Sequence, residues 1–315
     1  MKKIAPILIF ILSTVIRMPS AYSDARQEPS GTLIFVDVQV LSEKTGKPSS
    51  TLKREDFLLF EEGAKQEVKD FTNTNRSISL VLLLDLSGSM EALITELREA
   101  TGQQLRELGD TDEVAIMTFA KDVKLVQGFT RDKQLLADQI DKTYRPTSEL
   151  GRTQTALHEA IYQGAVYLEA HSSKENARAI LAISDGHINQ SGGHSSKDTL
   201  RKLFETGTAL HGLLISDYPI DSLVAKPIDM AEYSNLTGGI SVYLEKGATE
   251  YAEKLQVKKE FQSLLDAVHR SYRLGYLSNY KSDGKNPKIK IKLTSDAAKR
   301  TGKGLVLVSP AYHAR

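Results

Sequence analysis

Ser79-Leu80-Val81-Leu82-Leu83-Leu84-Asp85-Leu86-Ser87-Gly88-Ser89 is the stretch that decides the fold. From Ser79 to Leu84 the run is apolar without alternation, the pattern of a strand buried on both faces. Asp85, Ser87 and Ser89 then follow at alternate positions, with Gly88 allowing a tight turn between the two serines. In an open parallel sheet, ligands bind beyond the carboxyl ends of the strands. The stretch therefore predicts a central strand whose far end carries a polar site.

Outward from it, strand and helix patterns alternate. Glu91 to Leu108 carries Leu93, Leu97, Ala100, Leu105 and Leu108 at helical spacing. Val114–Phe119, Ala179–Ile183, Leu210–Ile215 and Ser241–Leu244 read as strands. Arg131–Thr143, Ala156–Ala170, Lys197–Phe204 and Ile228–Leu236 read as helices, the last stopped by Gly238-Gly239. This alternation predicts an α/β domain over residues 77–248, a Rossmann-like, doubly wound and mainly parallel sheet. Before it, residues 24–76 predict a small β module. Ile34, Val36, Val38 and Val40 alternate there, Phe57–Phe60 forms a second strand, and Val68–Phe71 is able to pair back. After it, residues 249–315 predict a helix from Glu250 to about Arg270 and strands at Tyr272–Leu277, Lys288–Leu293 and Leu305–Val308.

The N-terminus predicts a secretory signal peptide over residues 1–23. Lys2 and Lys3 precede the apolar run Ile4–Ile16, and Ala21-Tyr22-Ser23 supplies a small-x-small cleavage site. No later segment is apolar and long enough to span a bilayer. The 315-residue chain has no cysteine, which excludes disulfides, thiol catalysis and zinc–thiolate sites. It also excludes a lipoprotein anchor. Export without disulfides suits a bacterial periplasm or medium. A net charge of +1 gives no global field to attract nucleic acid.

The polar clusters fall at strand ends. Ser184-Asp185-Gly186 follows the Ala179–Ile183 strand, and Gly151-Arg152-Thr153-Gln154-Thr155 precedes a helix. Two carboxylates and several hydroxyls on three loops make an all-oxygen site, suited to a hard divalent ion such as Mg²⁺, or Mn²⁺ or Ca²⁺. An enzyme reading finds little support: there is no Gly-x-Ser-x-Gly, no P-loop and no Gly-x-Gly-x-x-Gly. His187 and His194 flank a Gly/Ser-rich loop and read as solvated. The alternating Lys288, Lys290 and Lys292 read as a solvated strand face.

Asp85-Leu86-Ser87-Gly88-Ser89 after an apolar strand, a threonine loop before a helix, and Ser184-Asp185-Gly186 after the next apolar strand resemble the von Willebrand factor type A domain. The five-residue element is similar to its metal-ion-dependent adhesion site. The flanks Val36-Asp37-Val38-Gln39-Val40, Glu55-Asp56-Phe57 and Tyr272-Arg273-Leu274-Gly275-Tyr276 are similar to bacterial exported "VWFA-related" proteins. The resemblance implies that Ser87 and Ser89 ligate the metal directly and that Asp85 and Asp185 act mainly through water. It implies a further ligand at Thr155 or, alternatively, Thr153; neither sits in the family's common Gly-Gly-Thr. It also implies a partner protein presenting Asp or Glu to the ion. A scaffold whose metal site is vestigial is the alternative, and a hydrolase the third.

Overall fold

The computed structural model describes residues 31–42, 49, 51–75, 77–143, 155–173, 175–186, 193–216, 228–245, 250–279, 288–301 and 305–308. The proposed signal peptide, Thr153 and His187 lie outside these residues. Four strands come first: β1 (Thr32–Ser42), β2 (Phe57–Glu61), β3 (Ala64–Gln66) and β4 (Asp70–Asn75). Then follow β5 (Ile78–Asp85), a 3₁₀ turn over Gly88–Leu93, α1 (Ile94–Arg106), β6 (Glu113–Phe119), β7 (Val123–Thr130) and α2 (Lys133–Thr143). The second half carries α3 (Leu157–His171), β8 (Ala177–Ser184), α4 (Ser196–Thr206), β9 (Thr208–Ser216), α5 (Ile228–Thr237) and β10 (Ser241–Glu245). It ends with α6 (Glu250–His269), β11 (Arg270–Ser278), β12 (Ile289–Leu293), α7 (Ser295–Arg300) and β13 (Leu305–Val308).

The main sheet has the order β10-β9-β8-β5-β6-β7. All neighbours are parallel except β7, which runs antiparallel to β6 and shifts register between Val114 and Met117. The expected α/β architecture is present. Every residue of β5 is buried, which is why it reads as an unbroken apolar run. Its side chains divide between two cores. Leu80, Leu82 and Leu84 face α1, α2 and α6, together with Leu97, Leu136, Phe261 and Leu265. Val81 and Leu83 face α3, α4 and α5, together with Ile161, Leu203 and Met230.

The flanks differ from the expected division. The segments before and after the α/β domain do not form two modules; their strands interleave. β1 pairs with β11 and β13, and β4 pairs with β11, giving the sheet β13-β1-β11-β4. β12 and β3 flank β2 in a second, three-stranded sheet. Val36, Val38, Leu59, Tyr272, Tyr276 and Ile291 share one core between them. Both flanks supply residues to that core. Strand β4 thus turns away from β2, with which Val68–Phe71 was expected to pair. The expected boundary at 248/249 also moves, because α6 lays Val257, Phe261, Leu264, Leu265 and Val268 on the main sheet. Lys290 and Lys292 are exposed, in keeping with a solvated strand face.

A polar clasp ties the end of α6 to the base of β5 and β6. The Asp112 carboxylate accepts hydrogen bonds from the Ile78 and Gly109 amides at 3.0 and 2.7 Å. It also pairs with His269 Nε2 at 2.8 Å, while His269 Nδ1 contacts the Leu265 carbonyl at 2.9 Å. Burial works against the charge on both groups. It is outweighed: the His269 bond and the amides hold Asp112 below its ordinary 3.8, and Asp112 holds His269 above its ordinary 6.5. The His269 contribution is full below pH 6.5 and is lost as pH rises through its folded-state value. The Asp112 contribution is full above pH 3.8 and is lost as pH falls through its folded-state value. The clasp is therefore strongest between those limits. Urea unfolding of the wild type and of His269→Gln should differ most near about pH 5, and less by about pH 9. A difference independent of pH would remove the clasp from the account.

Candidate functional site

The chain leaves β5 toward β6 and β7 on one side, then returns to place β8, β9 and β10 on the other. The order reverses at β5, so a crevice opens beyond the carboxyl ends of β5 and β8. Asp85 ends β5 and Ser184 ends β8, and the register Leu84↔Ile183 sets these two residues side by side.

Asp85 is fully buried, and each of its oxygens is held. Oδ1 accepts from the Ser87 amide at 2.8 Å, a turn that aspartate forms with its own backbone two residues on. Oδ2 accepts from Ser184 Oγ at 2.6 Å. Ser184 Oγ also accepts from the Gly186 amide at 3.0 Å, and Gly186 sits at φ 77°, where glycine is favoured. Burial pushes the Asp85 carboxyl up to about 6, Asp185's charge adds to the rise, and the bonds from Ser184 and Ser87 oppose it.

Two carbonyls at the β6–β7 corner anchor the other loops. Leu86 N donates to Phe119 O at 2.8 Å, and Ala156 N donates to Ala120 O at 2.7 Å. The first bond fixes the loop after β5; the second fixes Thr155 just ahead of α3. Buried Met90 pins the 3₁₀ turn from below. Ser87 Oγ and Ser89 Oγ lie 3.1 Å apart, the former buried and the latter exposed. Thr155 and Asp185 are buried. The five expected residues Asp85, Ser87, Ser89, Thr155 and Asp185 thus occupy three neighbouring loops at one end of the sheet.

Among the described residues, no three His, Asp or Glu side chains are grouped to hold a metal ion. The donor set at this crevice is instead two buried carboxylates beside serine and threonine hydroxyls. All donors are oxygen, which suits a hard divalent ion and not a soft one. A buried, electron-rich cluster of this kind also gains from a cation, since Asp85 and Asp185 repel each other without one.

The sequence reading missed the wall of the crevice. His194, read as solvated, is tied down: its amide and Nδ1 contact Glu159 Oε2 at 3.0 and 2.8 Å, and its ring stacks on Tyr162. Tyr233 Oη meets His158 Nδ1 at 2.8 Å and donates to the Ser196 carbonyl at 3.2 Å. These contacts fasten the starts of α3 and α4 to each other and to the middle of α5. The hydrogen-bonded partners are 35 to 75 residues apart, so no local pattern announces them.

Comparison with known proteins finds a likeness for this region. Residues 80–187 match the family model described as "von Willebrand factor type A domain". Over these residues the chain is similar to a von Willebrand factor type A domain. The matched segment contains β5 from Leu80 onward, Ser87 and Ser89, Thr155 and Asp185. No curated protein matches the chain. Among solved structures, the chain is similar to a von Willebrand factor type A protein from Catenulispora acidiphila, with 8% identity and a TM-score of 0.50. That alignment covers 90% of this chain and 74% of the other. It is also similar to the conserved hypothetical protein BatB from Bacteroides thetaiotaomicron, at 21% identity, TM-score 0.44, covering 59% and 98%. A manganese-loaded TRAP protein of Plasmodium vivax aligns at 13% identity, TM-score 0.45, covering 76% and 83%. At 8% identity the likeness to the Catenulispora acidiphila protein is one of fold alone.

Proposed function

We propose that this protein is an exported, divalent-cation-dependent protein-binding module. The observation that carries the reading is the convergence of Asp85 and Asp185, both buried, with Ser87 and Ser89 at the strand-order reversal of an A domain. Ser87 and Ser89 would hold the ion directly, with Thr155 or Thr153 completing the set. Asp85 and Asp185 would act mainly through water, which leaves less negative charge on the ion. The bound ion, Mg²⁺ or Mn²⁺ or Ca²⁺, supplies an electrophilic position able to take a carboxylate from a partner. The chain's own residues orient that position. Met90 and the Phe119 and Ala120 carbonyls fix the loops, and His194, Glu159 and Tyr162 hold the adjoining wall.

Binding rather than turnover is the expected outcome. Among the described residues, Ser87 Oγ contacts Ser89 Oγ rather than a histidine. Among the described residues, no helix is long and apolar enough to cross a membrane. The Lys2-to-Ser23 pattern supports export into a bacterial periplasm or medium.

Capture from the envelope of the source cell tests this reading. The immobilised chain should retain a specific protein in Mg²⁺ and release it on adding a chelator. Retention unaffected by chelator would favour the scaffold alternative; turnover of ester or phosphate substrates would favour a hydrolase.

A further inference from the structure

The metal-ligand reading names Asp85 and Asp185 but leaves open what makes their two loops a single unit. We infer that Ser184 is a positioning residue, whose hydroxyl sets the geometry of both carboxylate-bearing loops and thereby the site's affinity for its ion. This inference rests on the proposed metal site and adds a residue outside the ligand set.

Three observations carry it. Ser184 is the last residue of β8 and is fully buried, so its hydroxyl has only protein partners to meet. Its Oγ donates to Asp85 Oδ2 at 2.6 Å, crossing from β8 to β5 over 99 positions of sequence. The same Oγ accepts from the Gly186 amide at 3.0 Å, which folds the backbone of Asp185 back toward β8. One hydroxyl therefore uses its donor on the first acidic loop and an acceptor lone pair on the second.

The consequence for Asp85 follows from its other bond. With Oδ1 fixed by the Ser87 amide and Oδ2 fixed by Ser184, the carboxylate plane has one orientation. Remove the Ser184 donor and Oδ2 loses that bond, so the carboxylate is held from Ser87 alone. The Gly186 amide loses its acceptor in the same step, so the Asp185 loop loosens too. Groups that orient metal-site residues in this way change affinity about 10- to 100-fold when removed.

A buried serine at the other end of β5 separates positioning from mere structure. Ser79 Oγ also donates to a buried carboxylate, Glu113 Oε1, but far from the crevice. Calorimetric titration with Mn²⁺ alone, on the full chain, gives the test. Ser184→Ala should bind Mn²⁺ about tenfold or more weakly than wild type. Ser184→Thr, which keeps the hydroxyl, should restore affinity to within about threefold. Ser79→Ala should lower the melting temperature and leave Mn²⁺ affinity unchanged. If Ser184→Ala does not fold, Ser184→Cys, a poorer donor of similar size, should bind more weakly than Ser184→Thr. Wild-type affinity in Ser184→Ala, or equal losses in Ser184→Ala and Ser79→Ala, would overturn the inference while leaving the metal site standing. Absence of Mn²⁺ binding by the wild type would overturn both.

Discussion

Alanine at both positions 87 and 89 is expected to lower Mn²⁺ affinity by about 100-fold or more, while the metal-free melting temperature stays nearly unchanged. The two hydroxyls contact each other at 3.1 Å and bury little apolar surface, so their loss should cost the fold little. Their removal takes away the only neutral oxygens that the loop after β5 places together at the crevice among the described side chains. The carboxylate of Asp85 keeps its amide and Ser184 bonds in this variant, so the loop itself stays in place. Calorimetry with Mn²⁺, beside a thermal melt in chelator, reads both quantities. A double variant that binds Mn²⁺ as the wild type does would show that these serines are not ligands.

Gly239→Ala is expected to cost the fold about 3 kcal/mol or more, a larger loss than most single substitutions. A Cβ built on Gly239 would lie 1.7 Å from the Leu210 carbonyl oxygen and 2.5 Å from its carbon. Both are backbone atoms in the middle of the sheet, so no side-chain rotation relieves the overlap. The Gly239 amide also donates to Ser234 O at 2.9 Å, fixing the turn that carries α5 into β10. Chemical denaturation measures the loss. A variant within about 1 kcal/mol of wild type would mean that β9 and the Gly238-Gly239 turn do not approach as closely as described.

That glycine pair shows how far the sequence could be read. Gly238 was legible as a helix stop, and it adopts the expected left-handed φ of 80°. The close approach at Gly239 was not, because it depends on Leu210, which lies 29 positions earlier. The same division runs through the fold. β5, β6, β8 and β9 declare themselves through local apolar runs. Strand β7 does not: Val123–Thr130 mixes exposed Lys124 and Leu125 with half-buried residues, as an edge strand with shifted register does. The merged β core escaped notice for a related reason. β1 and β11 pair Asp37 with Arg273 across 236 positions, and no window of sequence holds both. In the crevice, the residue types and their order were legible from Asp85, Ser87, Ser89 and Asp185. Ser184 was visible only as part of a turn, since its double hydrogen bond needs the β5–β8 register to exist first.

One hard divalent ion is proposed to sit where the loops after β5 and β8 meet. Anomalous diffraction from crystals of the full chain soaked in Mn²⁺ tests it most directly. One strong peak is expected within coordinating reach of Ser87 and Ser89, next to Asp85 and Asp185. No peak there, or a peak only elsewhere on the molecule, would contradict it.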